Sequence, residues 1–253
     1  CEHFLFADES YPPALFKKVA RLLVDQHVGI KWTTLIRFEE SLDEQDMQMA
    51  ATSGCCTLYY GMESANERVL ELMDKHAKKS VIERKLQEAA KAGIWNHVMA
   101  FYGFPGETRD EAEEPRQFLL DNKRAIHSVE LFYFVAYRHT PMVRNPDKFG
   151  ITIHKQEEYD LPLDYYYTLN EPIGISCLDA MQLCEEFYRN DFEPWAVRVN
   201  AREHVFLYIS KYGTNMLPQI YAKQKDGDAV SGLVTWPVAH GDAEAESNQS
   251  MAR

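Results

Sequence analysis

The sequence predicts an α/β fold in which parallel strands alternate with helices. Five apolar runs carry the prediction: His3–Ala7, Lys31–Ile36, Cys55–Tyr60, Ile94–Tyr102 and Val129–Tyr137. The segments between them show helical spacing of apolar residues or helix-start signals. The runs are apolar on both faces, as a sheet covered by helices requires, and strand–helix alternation implies parallel pairing through right-handed crossovers. A partial (β/α) barrel accommodates this pattern best, and an open doubly wound sheet is the alternative.

The first run ends at Asp8-Glu9-Ser10, and Tyr11-Pro12-Pro13 opens a helix, where proline is tolerated. Leu15, Val19, Leu22 and Leu23 are expected to form its apolar face. The second run is β-rich and ends at Arg37. Ser41-Leu42-Asp43-Glu44 reads as a capping box, starting a helix with Met47 and Met49 that stops near Gly54. The third run ends at Gly61-Met62-Glu63-Ser64, followed by a short helix with Val69, Leu70 and Met73. Ser80-Val81-Ile82-Glu83 reads as a second capping box, for a helix with Leu86, Ala89 and Ala90 that ends at Gly93.

The fourth run leads into Gly103-Phe104-Pro105-Gly106-Glu107-Thr108. Strand, tight turn and helix follow one another here, and two glycines let the backbone approach a ligand. Residues 109–122 are expected to be helical, with Pro115 imposing a kink or a late start. The fifth run ends at Arg138-His139-Thr140-Pro141-Met142.

From residue 143 the pattern changes. Residues 145–163 read as loop, Tyr165-Tyr166-Tyr167 as a packed strand, and Ser176–Asn190 and Val197–Tyr212 as helices. The Gly-, Ser-, Asp- and Glu-rich stretch 223–253 reads as a disordered tail. The expected organisation is a partial barrel over 1–142, an α-rich extension over 143–222 and the tail.

The chain has 253 residues and a net charge of -12, which argues against general nucleic-acid binding. No apolar run approaches the roughly 20 residues that span a bilayer. The five cysteines, Cys1, Cys55, Cys56, Cys177 and Cys184, form no Cys-x-x-Cys pair, so reduced thiols in a cytoplasmic protein are expected. Residue 1 is Cys and an apolar run begins almost at once, which reads as a cut through a larger chain.

Polar residues recur at the C-terminal strand ends: Asp8 and Glu9, Arg37, Glu63 and Ser64, the 103–108 loop, and Arg138 with His139 and Thr140. In a parallel barrel these ends converge on one face. Carboxylate, hydroxyl and guanidinium together suit an amino group, ribose hydroxyls and a carboxylate, the groups of an amino-acid nucleoside. Plainer roles stand beside this. Ser64 could cap a helix, Arg37 could pair with a neighbouring carboxylate, and His97 reads as a satisfied core histidine. Glu111, Glu113 and Glu114 read as a solvated helix face.

Phe4-Leu5-Phe6-Ala7-Asp8, Trp32, Arg37, the run from Gly54 to Ser64, Lys91-Ala92-Gly93-Ile94 and Gly103–Thr108 resemble the radical S-adenosylmethionine (SAM) superfamily. The resemblance covers residues 3 to 142 and is greatest to the branch often carrying an upstream cobalamin-binding domain. It implies that Glu63 and Ser64 contact the ribose and amino group of SAM, and that Arg37 is a strand-end arginine of that branch. It also implies that Gly103, Phe104, Pro105, Gly106 and Glu107 lie beside the adenine and methionine moieties, and that Asp8 faces the pocket. Reductive cleavage of SAM at a 4Fe-4S cluster, to a 5′-deoxyadenosyl radical, would follow in the intact protein. An electron donor such as flavodoxin or ferredoxin is implied as partner, and cobalamin as a further cofactor. The family's Cys-x-x-x-Cys-x-x-Cys loop is absent, so the chain as given is expected to bind no cluster and to be inactive alone. It is also expected to expose the edge of its first strand. Two rivals are a non-catalytic barrel that binds SAM or a nucleoside, and an unrelated hydrolase or lyase using Asp8 and Glu63.

Overall fold

In a computed structural model of the chain, the residues described are 1–7, 10–75, 77–154, 164–191, 197–198 and 202–214. Asp8 and the 223–253 stretch fall outside them. The first half alternates as the sequence predicts. β1 (His3–Phe6), α1 (Pro13–Asp25), β2 (Lys31–Ile36), α2 (Glu44–Thr52) and β3 (Cys55–Glu63) come first. Two helices, α3 (Glu67–Leu72) and α4 (Lys79–Lys91), lead to β4 (Trp95–Tyr102), and α5 (Arg109–Asp121) leads to β5 (Ser128–Tyr133).

These five strands are parallel and lie side by side in chain order, β1-β2-β3-β4-β5. A doubly wound sheet reverses its strand order at a switch point. The unbroken order therefore excludes that alternative and gives a partial barrel. Alternate residues split between two faces. Trp32, Ile36, Leu58, Tyr60, Val98, Ala100 and Tyr102 enter the core with Phe16, Met47, Leu86 and Phe118 of the helices. Their neighbours, Thr33, Leu35, Tyr59, Gly61, His97, Met99, Ser128 and Glu130, face the concave side.

Several local expectations are corrected. The buried residues of α1 are Phe16 and Ala20, while Leu15 and Leu22 stay 42% and 47% exposed. The N-cap of α2 is Asp43 in a reciprocal box with Asp46, and Ser41 lies outside the helix. α4 begins at Lys79 without a side-chain cap, so Ser80 is inside it. α5 starts at once at Arg109, capped by Thr108 and Glu111, and runs through a buried Pro115. The fifth apolar run divides into β5 and β6 (Ala136–Tyr137).

Beyond it come α6 (Pro141–Arg144), a 3₁₀ turn (Pro146–Phe149), β7 (Ile151–His154) and β8 (Asp164–Leu169). β6, β8 and β7 form a small antiparallel sheet. Tyr165–Tyr167 is thus a packed strand as expected, and β7 emerges from a stretch read as loop. α7 (Cys177–Glu186) continues into a π-helical turn (Phe187–Asp191). The expected helix over 197–212 starts late: β9 (Val197–Arg198) pairs with the foot of β5, and α8 is Arg202–Tyr212. Residues Cys1–Leu217 form one compact unit.

The two sides of the main sheet end differently. Among the described residues β1 pairs with β2 alone, and its burial pattern is mostly exposed. On the other side, the Tyr188 hydroxyl accepts from Leu131 N at 2.7 Å and donates to Leu131 O at 3.2 Å. A side chain there takes the place of a neighbouring strand. α8 lies against β2 and β3 on the concave side, where Ser210 Oγ bonds His3 at 2.9 Å and Phe206 meets the His3 ring edge-on.

Candidate functional site

Two loops dominate the C-terminal end of the sheet. The first closes β3. The β3–β4 register shifts between Gly61 and Glu63, and Glu63 adopts φ 64°. That left-handed backbone costs a residue with a Cβ roughly 1–2 kcal/mol. Strain of this kind collects at functional sites. The Glu63 carboxylate folds back over Gly61, where an added Cβ would lie 2.7 Å from Oε1. Lys75 Nζ donates to the same oxygen at 3.2 Å. Ser64 is fully buried, and its Oγ accepts from Asn66 N at 3.2 Å. Asn66, and not Ser64, caps α3, accepting from Val69 N at 2.9 Å.

The second loop, Gly103–Thr108, joins β4 to α5. Gly103 and Gly106 take φ 87° and 88°, open to glycine without strain. Glu107 turns inward and is fully buried. Its Oε2 accepts from Gly103 N at 2.5 Å, while Oε1 has no hydrogen-bond partner among the described residues. Burial is the main reason its carboxyl is pushed up to about 7, against the pull of the Gly103 N–H. From outside, the Tyr167 hydroxyl donates to Gly103 O at 2.7 Å and Ile175 N to Glu107 O at 2.8 Å. Arg68 donates to Gly106 O at 2.6 Å. Phe104 packs edge-on against Phe134 and Phe149 over the small sheet.

Two of the three carboxylates first read as a solvated face, Glu111 and Glu114, brace this loop. Glu111 forms a two-pronged pair with Arg68 and caps Thr108, and the Arg68 guanidinium holds its carboxyl down to about 2. Glu114 accepts from Asn66 Nδ2 at 2.6 Å, joining the two loops. Glu113 pairs with Arg116 at 3.0 Å. The Thr108-x-x-Glu111 spacing is a capping-box signature that announces this in the sequence.

The expected site residues thus fall into two groups. Arg37 is exposed at the end of β2, with no ion-pair partner among the described residues, and Glu63 and Gly106 are part-exposed. Ser64, Gly103, Phe104, Pro105 and Glu107 are buried. His97 is fully buried and hydrogen-bonded to Ser128 and Glu130, as a satisfied core histidine should be. A cleft of about 420 Å³ opens between Thr108, Arg109, Gly174, Ile175 and Asp179; of the expected strand-end residues it is lined by Thr108 alone.

The cysteines do not fit an iron–sulfur cluster. Cys55 and Cys56 are neighbours at the start of β3 and so point to opposite faces. Cys55 is buried, and desolvation pushes its thiol well up, away from the thiolate a ligand must be. No cluster of three or more His, Cys, Asp and Glu among the described residues could hold a metal ion. At neighbouring strand ends, beside the glycine-rich loop, stand the exposed Arg37 guanidinium and the part-exposed Glu63 carboxylate.

Comparison with known proteins bears on the fold. A curated relative, an uncharacterized methyltransferase of Pyrococcus horikoshii, is 33% identical over 91 residues, 36% of this chain and 20% of that protein. The radical SAM methyltransferase TsrM of Kitasatospora setae, solved with cobalamin and a 4Fe-4S cluster, superposes with TM-score 0.64 at 12% identity, covering 89% of this chain and 52% of that one. The cobalamin-dependent SAM radical enzyme OxsB gives 0.58 at 13% identity, over 90% and 38%. Coproporphyrinogen III oxidase of Escherichia coli, a radical SAM enzyme, gives 0.52 at 13%, over 74% and 40%. At these identities the likeness is one of fold. The chain spans about a fifth of the curated relative and about half or less of the solved chains. No helix among the described residues is long and apolar enough to cross a membrane. A family model described as Radical SAM superfamily matches residues 3–119, and over that stretch the chain is similar to that superfamily.

Proposed function

We propose that this chain supplies the SAM-binding part-barrel of a radical SAM enzyme. The observation that carries the reading is the pairing of two accessible charges, Arg37 and a backbone-strained Glu63, at adjacent strand ends beside the 103–107 loop. Arg37 takes the SAM carboxylate. Glu63 takes the amino group or the ribose hydroxyls. Gly106 offers backbone to the adenine side, and buried Ser64, Gly103, Phe104, Pro105 and Glu107 hold the loops in shape. Asp8, implicated by the resemblance alone, belongs to the same proposal.

When SAM is reduced at a 4Fe-4S cluster it yields a 5′-deoxyadenosyl radical that takes hydrogen from a substrate. The cysteines of this chain do not fit that cluster, and no step at it is assigned to residues here. Cobalamin, bound in the solved TsrM and OxsB, belongs to the same proposal, as do a flavodoxin- or ferredoxin-type electron donor and a cytoplasmic setting. A second reading, a barrel that binds SAM or a nucleoside without radical chemistry, draws on the same misfit of the cysteines.

Calorimetric titration of the chain with SAM tests the shared core of both readings. Binding should weaken at least tenfold, about 1.4 kcal/mol, in Arg37→Ala and in Glu63→Gln. No binding by the unaltered chain overturns the assignment. Iron counted after anaerobic reconstitution should fall well short of four per chain. A full cluster would overturn the reading of the cysteines.

A further inference from the structure

The concave face of the sheet holds a buried polar chain that the SAM reading does not use. Trp95 Nε1 donates to Ser128 Oγ at 2.8 Å. Ser128 Oγ lies 2.8 Å from His97 Nδ1, and His97 Nε2 lies 3.3 Å from Glu130 Oε2. An indole N–H can only donate. The assignment that uses every hydrogen has Ser128 accept from Trp95 and donate to His97 Nδ1. That leaves the imidazole proton on Nε2, donating to Glu130. The chain ends in a group that accepts nothing, so it relays no proton. What it does is hold one carboxylate oxygen at a fixed place.

The other oxygen of Glu130 has no hydrogen-bond partner among the described residues, and the Glu130 side chain is 17% exposed while His97 is fully buried. Register places Met99 beside Glu130 and Phe101 beside Phe132, one step further along the same face. Phe132 is 52% exposed, and Met99 and Phe101 are part-exposed. A fixed carboxylate rimmed by thioether and aromatic surface suits a cation with an apolar body. It does not suit a metal ion. Gly61, over which the Glu63 carboxylate lies, is two strands away, about 10 Å. No metal-holding cluster occurs among the described residues.

We propose that this open part of the concave face binds the ammonium group of a substrate amine, with Glu130 as its anchor and His97 as the residue that positions the anchor. Taking the bound amine as the substrate rests on the radical SAM reading; the binding site itself does not.

The test uses 2-phenylethylammonium and its neutral counterpart 2-phenylethanol, titrated into the full chain by ligand-observed NMR. The ammonium should bind at least tenfold more tightly. Glu130→Gln, which keeps an acceptor for His97, should bring the two probes to parity without lowering the melting temperature. Met99→Lys, which sets an ammonium beside Glu130, should abolish ammonium binding if the first variant folds poorly. Equal affinity of the unaltered chain for both probes, or a preference that survives both substitutions, overturns the proposal. SAM is titrated into the same samples and should bind Glu130→Gln as well as it binds the unaltered chain. A matching loss there would make Glu130 part of the SAM site and overturn the substrate assignment. Loss of SAM binding by the unaltered chain with the ammonium preference intact would sink the SAM reading alone.

Discussion

The two strand-end loops are built on opposite principles. Gly103–Thr108 is tied from inside by Glu107 and from outside by Tyr167, Ile175 and Arg68, and its unusual backbone falls on glycines. Gly61–Ser64 puts its left-handed backbone on a glutamate, whose side chain is held among the described residues by Lys75. The first loop spends its carboxylate on its own shape. The second accepts strain to bring a carboxylate to the surface. Polarity alone therefore does not say where a side chain lies: Glu107 and Glu63 are the same amino acid at the ends of neighbouring strands, one fully buried and the other part-exposed.

Removing each carboxylate is the sharpest way to break this contrast. Glu107→Ala leaves Gly103 N–H buried without an acceptor and a hollow beside it. Unfolding stability should fall by about 3 kcal/mol, read by urea denaturation at pH 5. An effect below about 1 kcal/mol would deny the brace.

The same carboxyl makes stability depend on pH. It titrates at its ordinary 4.5 when unfolded and at about 7 in the fold. The folded chain thus keeps a proton that the unfolded chain has lost, and stability declines as pH rises from 4.5 to 7. The decline attributable to this group is about 3 kcal/mol at 1.36 kcal/mol per unit. Glu107→Gln still accepts from Gly103 N–H but carries no charge. It should flatten the profile and be the more stable protein at pH 8, and an unchanged slope would contradict this.

Glu63→Gly tests the other side of the contrast. It should relieve the φ 64° backbone and raise stability by about 1 kcal/mol, while SAM affinity falls about tenfold. Loss of both would make Glu63 a structural residue. The smallest effect belongs to Tyr167→Phe, which removes one donor to Gly103 O and should cost about 1 kcal/mol with SAM binding nearly intact.

The parallel sheet was legible because its strands are long apolar runs whose period needs no partner to be seen. The helix caps were less so. Ser41 and Ser80 satisfy the capping pattern locally, yet Asp43 caps α2 and α4 starts without one, because packing fixes where a helix meets the sheet. The position of Arg37, Glu63 and the glycine loop at strand ends could be read directly. Which of their side chains turn inward could not, since burial of Glu107 depends on Tyr167 and Ile175, far along the chain. Glu130 was passed over for the same reason. Its anchor, His97, lies one strand away and reads in isolation as core.

The Tyr188 hydroxyl bears on whether the β5 side of the main sheet can be extended. It already engages both the amide and the carbonyl of Leu131. A further strand laid along the middle of β5 would have to displace that hydroxyl before it could pair there, so this position resists strand addition.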